Sequence, residues 1–144
     1  MEKEFIIIDT EFYHYEGETV NNLPDGKGHM DYLNDDFFIC YDGYFEEGIE
    51  NGHGKQVTID GTVECEFING HPKGIGTFLF PEGDFYEGEI DEVPEGKGKI
   101  TYADGSVYEG EFHNGFPEGE GTITNSDGSI IHGIFDSAGL VREC

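Results

Sequence analysis

Tyr108-Glu109-Gly110-Glu111-Phe112, followed by Asn114-Gly115 and then Gly119-Glu120-Gly121, is the stretch whose reading decides the fold. Its first five residues alternate ring, acid, glycine, acid, ring. A period of two puts successive side chains on opposite faces of an extended chain, so this segment predicts a β-strand. Asn-Gly suits a two-residue hairpin turn, because both residues tolerate positive φ. A second strand is expected from Gly121 through Thr122, Ile123 and Thr124, after which Asp127-Gly128 turns the chain again.

The same signals recur along the chain. Gly-x-Gly pairs begin at Gly26, Gly52, Gly74, Gly96 and Gly119, so successive offsets are 26, 22, 22 and 23 residues. Upstream stand Tyr15-Glu16-Gly17-Glu18, Tyr41-Asp42-Gly43-Tyr44, Val63-Glu64-Cys65-Glu66, Tyr86-Glu87-Gly88-Glu89 and the quoted stretch. Several signals marching in step at a fixed period mark a repeat architecture. Full units are read at 15–40, 41–62, 63–85, 86–107 and 108–130, within one domain of 144 residues. A capping half repeat (5–14) and a C-terminal partial repeat (131–144) flank them, as a stack with exposed sheet edges requires. No segment carries a sustained 3.6-residue apolar stripe, so the fold class is all-β with essentially no helix.

Composition narrows the function classes. Seven Lys and Arg stand against 32 Asp and Glu, a formal charge of 7 − 32 = −25. Such a field repels nucleic acid and anionic membrane surfaces, so neither is an expected partner. Twelve Phe and eight Tyr give the chain enough ring area to fold despite that charge. Cys40, Cys65 and Cys144 form neither a disulfide framework nor a metal half-site, and no signal peptide or membrane span is read, so a reducing, cytoplasmic setting is expected.

The pattern Tyr-x-Gly-x-aromatic, Asn-Gly, Gly-x-Gly resembles the MORN repeat (membrane occupation and recognition nexus), over residues 15–135. The family usually has Trp where this chain has Phe45, Phe67 and Phe112, and Thr19 and Ile90 carry no ring there. Cys65 replaces a strand glycine, and the first unit holds an insertion around Asn34-Asp35-Asp36-Phe37-Phe38. The resemblance implies a single elongated, twisted antiparallel sheet of consecutive hairpins, rolled into a trough. It also implies a scaffold or interaction module: some members hold a helical peptide in the trough, some dimerise, and some have been connected with phosphoinositides.

Alternation sorts the candidate site residues by face. Tyr15, Tyr41, Phe45, Phe67, Tyr86, Tyr108 and Phe112 share one face. A one-layer sheet has no second layer to cover them all, so they either pack between repeats or line the trough as partner-binding residues. Glu64, Glu66, Glu87, Glu89, Glu109 and Glu111 stack on the other face, with Glu16, Glu18 and Asp42 in matching places. That face is either a solvated coat or an acidic ladder for a basic partner. No calcium-loop pattern, no metal-ligand cluster among the six histidines and no catalytic constellation is present, so no metal, cofactor or enzymatic activity is expected. The expected function is non-enzymatic: a protein-interaction scaffold binding a peptide or helical segment in the aromatic-lined trough, with homodimerisation through the array ends as a third, structural possibility. The alternative is an acidic, immunity-type inhibitor that neutralises a basic protein or nucleic-acid enzyme.

Overall fold

The computed structural model describes residues 2–144. Its strands are β1 (Glu4–Asp9), β2 (Tyr13–Val20), β3 (Leu23–Tyr32), β4 (Phe38–Glu46), β5 (Ile49–Thr58), β6 (Gly61–Ile68) and β7 (His71–Leu79), followed by β8 (Phe85–Asp91), β9 (Val93–Thr101), β10 (Val107–His113), β11 (Phe116–Thr124), β12 (Ile130–Asp136) and β13 (Gly139–Glu143). All 13 belong to one sheet, and their spatial order is their sequence order. Among the described residues there is no helix. This is the all-β array of consecutive hairpins that the alternation predicts. By contact density the chain divides into two compact units, the first ending at Lys73 and the second Gly74–Cys144.

In the first unit, cross-strand partners align one row of small residues: Gly17 faces Gly28, Gly28 faces Gly43, Gly43 faces Gly54, and Gly54 faces Cys65. The parallel row holds Tyr15, Met30, Tyr41, Gln56 and Val63. Hairpin tips reverse through Asn21-Asn22, Glu47-Gly48 and Asn69-Gly70, all at positive φ. The 33–38 insertion forms the connection between β3 and β4, whose ladder ends at Asp31–Cys40. It also adds the pair Phe38–Thr58 to the β4–β5 ladder, with a bulge at Ile39.

The second unit repeats the plan. Gly88, Gly98, Gly110, Gly121 and Gly133 face one another strand by strand, beside a row of Tyr86, Ile100, Tyr108, Ile123 and Ile131. Its inter-repeat turns are compact and polar: Tyr102 N–H donates to Ser106 O, Asn125 N–H to Ser129 O, and Asp104 and Asp127 cap the turns from within.

The Gly-x-Gly pairs do not precede the second strands, as the sequence suggests; they lie inside them. From Gly110–Gly121 to Phe112–Pro117 the register shifts, so Glu118, Gly119 and Glu120 oppose the single Glu111. The same bulge recurs opposite Glu18, Tyr44 and Glu89. Such a bulge leaves backbone groups unpaired, and something must satisfy them.

Candidate functional site

The seven rings on the first face are buried, with exposures of 0–3%. The four tyrosines of this face turn their hydroxyls back on their own strands: Tyr15 Oη donates to Glu18 O at 2.6 Å, Tyr41 to Tyr44 O at 2.9 Å, Tyr86 to Glu89 O at 2.6 Å and Tyr108 to Glu111 O at 2.9 Å. Burial pushes the phenols of Tyr15, Tyr86 and Tyr108 up to about 12, so they stay protonated donors. Phenylalanines wedge between neighbouring tyrosines in edge-to-face contacts. Phe45 meets Tyr15 and Tyr41 at 5.1 and 5.0 Å, and Phe112 meets Tyr86 and Tyr108 at 4.8 and 5.2 Å. Phe67 meets Tyr41 at 5.0 Å.

Of the two roles expected for Tyr15, Tyr41, Phe45, Phe67, Tyr86, Tyr108 and Phe112, packing between repeats is the one the free sheet displays: they pack on one another. The reason is the glycine row. A Cβ built at Gly28, Gly54, Gly98 or Gly121 would meet ring atoms of the repeat's own tyrosine within 2.2–2.5 Å. Those rings lie flat on bare backbone, and one thin layer encloses itself without a second sheet.

The third repeat tests this account. Tyrosine is replaced by Val63, and the strand glycine by Cys65, buried and donating its thiol to Glu66 O at 3.2 Å. In the other four repeats, a Cβ at the strand glycine would lie 2.6–2.9 Å from the tyrosine hydroxyl. A tyrosine at 63 and a side chain at 65 thus compete for one volume. Val63→Tyr alone is expected to destabilise the protein by about 1–3 kcal/mol. Adding Cys65→Gly should recover at least about 1 kcal/mol beyond additivity in urea unfolding; strictly additive costs would refute the competition.

The acid face is not a pure ladder of negative charge. Lys55 stands between Asp42 and Glu64, and Lys99 between Glu87 and Glu109, while Lys97 opposes Glu111 and His53 opposes Glu66. Opposite charges directly across a ladder are mildly stabilising. The second acid of three repeats also closes the bulge. Glu18 accepts the Lys27 N–H at 2.8 Å, Glu89 accepts the Lys97 N–H at 2.5 Å, and Glu111 accepts the Glu120 N–H at 2.7 Å. Each carboxylate occupies the space that a Cβ on Gly26, Gly96 or Gly119 would need, at 2.5–2.7 Å.

Other acids pin the next hairpin. Asp25 accepts the Glu47 N–H at 3.2 Å, and Glu95 accepts the Asn114 N–H at 2.9 Å and contacts His113 Nδ1 at 2.6 Å. The hydrogen bond to Glu95 raises His113 above its ordinary value, while the Asn114 N–H, and then His113, lower Glu95. His113's contribution is full below about pH 6.5 and fades as pH rises through its elevated value; Glu95's is present above about pH 4.5 and fades as pH falls. An NMR titration should show the His113 midpoint dropping in a Glu95→Gln variant. An unchanged midpoint would discard the pairing.

A family model described as the MORN repeat matches residues 15–36, 41–63, 66–85, 93–107 and 108–130. The chain belongs to the MORN repeat family. None of the curated proteins searched matches it. MORN repeats are non-catalytic modules that generally bind proteins or membranes. In four of these MORN repeats, tyrosine, strand glycine and second glycine form one packing device, and in three of the four the second acid seals the bulge beside it. Among the described residues, no group of three or more His, Cys, Asp and Glu is placed to hold a metal ion, and no helix is long and apolar enough to cross a membrane.

Sequence reasoning missed the apolar side chains that do reach solvent. At the hairpin tips, Leu23, Ile49, Ile68 and Phe116 are 45–54% exposed. At the opposite strand ends of the first unit, Phe12, Leu33, Phe37, Phe38, Ile39 and Ile59 are 38–66% exposed. For the second group the signal was present: these residues are large and apolar where the turns at 103–106 and 126–129 have Ala, Ser, Asp and Gly.

Proposed function

We propose that this chain is a protein-binding scaffold that takes a partner segment on the outer atoms of its array, with the seven rings supporting that surface from beneath. The observation that carries the reading is the set of exposed apolar side chains gathered at the strand ends, while the ring face is closed and lysines stand across from part of the acid face. Exposed apolar clusters of this kind mark interaction surfaces. The unpaired Cys40, Cys65 and Cys144 support a reducing, cytoplasmic setting.

The test is affinity capture from the native source followed by reconstitution with the purified candidate. A direct, saturable complex that weakens at least tenfold in surface variants such as Leu23→Ser/Ile49→Ser or Phe37→Ser/Phe38→Ser supports the scaffold. Retention of lipid alone, or of no protein at all, counts against it. The net charge of −25 keeps the charge-mimic reading in play for the same experiment. A complex that dissolves with modest salt and ignores every apolar substitution would favour the mimic.

A further inference from the structure

The clearest departure from repeat symmetry lies at one rim of the first unit, where three neighbouring turns carry apolar side chains. They are the β1–β2 turn with Phe12, the β3–β4 turn with Leu33 and Phe37, and the β5–β6 turn with Ile59. The turns are stitched into one seam. Leu33 N–H donates to Phe12 O at 2.8 Å, Asn34 Nδ2 to Glu11 O at 2.8 Å, and Ile59 N–H to Phe37 O at 3.0 Å. Asp35 Oδ1 accepts the N–H groups of both Phe37 and Phe38 at 2.8 Å, holding their rings 5.0 Å apart, edge to face. Phe38 also leans on Tyr32 at 5.6 Å.

Two observations make this more than stray exposure. Two turns of the second unit hold Ala103-Asp104-Gly105-Ser106 and Ser126-Asp127-Gly128-Ser129, and in its third, Phe80-Pro81-Glu82-Gly83-Asp84, the one ring is half-buried and stacked on Phe78 at 4.7 Å, so exposed rings mark the turns of the first unit. The inserted residues also pair Phe38 with Thr58 of β5 across a bulge at Ile39, one pair beyond the Phe85–Thr101 pair that ends the corresponding ladder of the second unit. Solvent exposure of such rings has no folding benefit, and a partner surface would supply one.

The charge around the seam selects the occupant. Asp9, Glu11, Asp35, Asp36 and Asp60 are exposed along it. No Lys or Arg occurs within residues 4–26, 28–54 or 56–72. His14, two residues along the chain from Phe12, is already engaged by Asp9. We infer that the seam docks a cationic amphipathic segment of another protein, its apolar side chains on Phe12, Leu33, Phe37, Phe38 and Ile59 and its Lys or Arg side chains on the flanking carboxylates. This rests on the scaffold reading above and assigns it a surface and a partner chemistry. Three turns two strands apart span about 20 Å, which about 14 residues cover as a helix.

The probe is a 14-residue Leu/Lys peptide titrated into the full chain by calorimetry. A Ser/Lys peptide of equal charge and a Leu/Glu peptide of equal apolarity serve as comparisons. Wild-type protein should bind the Leu/Lys peptide at least tenfold more tightly than either. Phe37→Ser/Phe38→Ser and Glu11→Gln/Asp36→Asn should each lose at least tenfold, whereas Phe116→Ser should not; all three variants should retain the wild-type circular dichroism. Equal binding of the Ser/Lys peptide, full affinity in Phe37→Ser/Phe38→Ser, or uptake of zwitterionic phosphatidylcholine vesicles in place of peptide would overturn the inference. If a protein captured from the native source binds Phe37→Ser/Phe38→Ser as tightly as wild type, the seam fails while the scaffold reading stands. If nothing proteinaceous is captured, the scaffold reading fails and the peptide titration alone decides the seam.

Discussion

Gly121→Ala is expected to lower the stability of the protein by about 3 kcal/mol, the upper end of the usual cost of overpacking. The added methyl would lie 2.4 Å from Tyr108 Oη and 2.5 Å from two of its ring carbons. That ring cannot step aside: it is fully buried, its hydroxyl is held by Glu111 O, and Phe112 and Phe135 flank it at 5.2 and 5.1 Å. Gly105→Ala is the matched comparison. Nothing lies within 4 Å of its Cβ, and only its φ of +92° resists the change, at about 1 kcal/mol. A double-mutant cycle isolates the cause. In a Tyr108→Ala background, the extra cost of Gly121→Ala should largely vanish. Urea unfolding followed by fluorescence or circular dichroism reads all four proteins. A neutral Gly121→Ala, or a penalty indifferent to the loss of Tyr108, would disprove the stacking of ring on bare backbone.

Tyr41→Ala should cost about 4 kcal/mol, as truncation of a large buried ring does elsewhere. Tyr41 is completely enclosed, and its ring is the shared neighbour of Phe45 and Phe67, both at 5.0 Å. Removing it opens a cavity, strips Phe67 of its edge-to-face partner and leaves Phe45 with Tyr15 alone. Tyr41→Phe keeps the ring and loses only the hydroxyl that donates to Tyr44 O, so about 1 kcal/mol is expected. The contrast between the two variants measures how much of the position is packing and how much is hydrogen bonding. Hydrogen exchange should show the loss concentrated in the amides of β4 and β5. A Tyr41→Ala protein that melts within a degree or two of Tyr41→Phe would mean that the ring is dispensable.

The strands, their order and the repeat were legible because alternation and punctuation are local properties. Tyr108-Glu109-Gly110-Glu111-Phe112 states its own period, and Asn114-Gly115 states its own turn. The fate of the rings was not legible. Alternation says which side chains share a face, but not whether that face packs on itself or meets a partner; a ring on a lone sheet ordinarily needs a second layer to cover it. Gly28, Gly54, Gly98 and Gly121 remove that need by letting the tyrosines lie against backbone, a distance-dependent fact that spacing does not encode. The work of Glu18, Glu89 and Glu111 was hidden for a similar reason. Their acceptors' partners, the N–H groups of Lys27, Lys97 and Glu120, are freed only by a register shift that no single strand announces. The seam at Phe12, Leu33 and Phe37 was visible as an insertion, yet the backbone bonds that gather it come from turns more than 20 residues apart.

The wiring of each repeat has a consequence for how such a chain can grow or shrink over generations. Tyrosine hydroxyl, bulge carboxylate and the glycines beneath the ring all belong to the same hairpin, and one phenylalanine reaches back to the hairpin before it. A copied segment of two strands therefore arrives with its internal demands already met and needs a single matching neighbour. A copied segment of one strand would reverse the chain direction and orphan every one of those contacts. Lineages carrying this gene should accordingly differ by whole hairpins, gained or lost by unequal exchange, and hardly ever by halves.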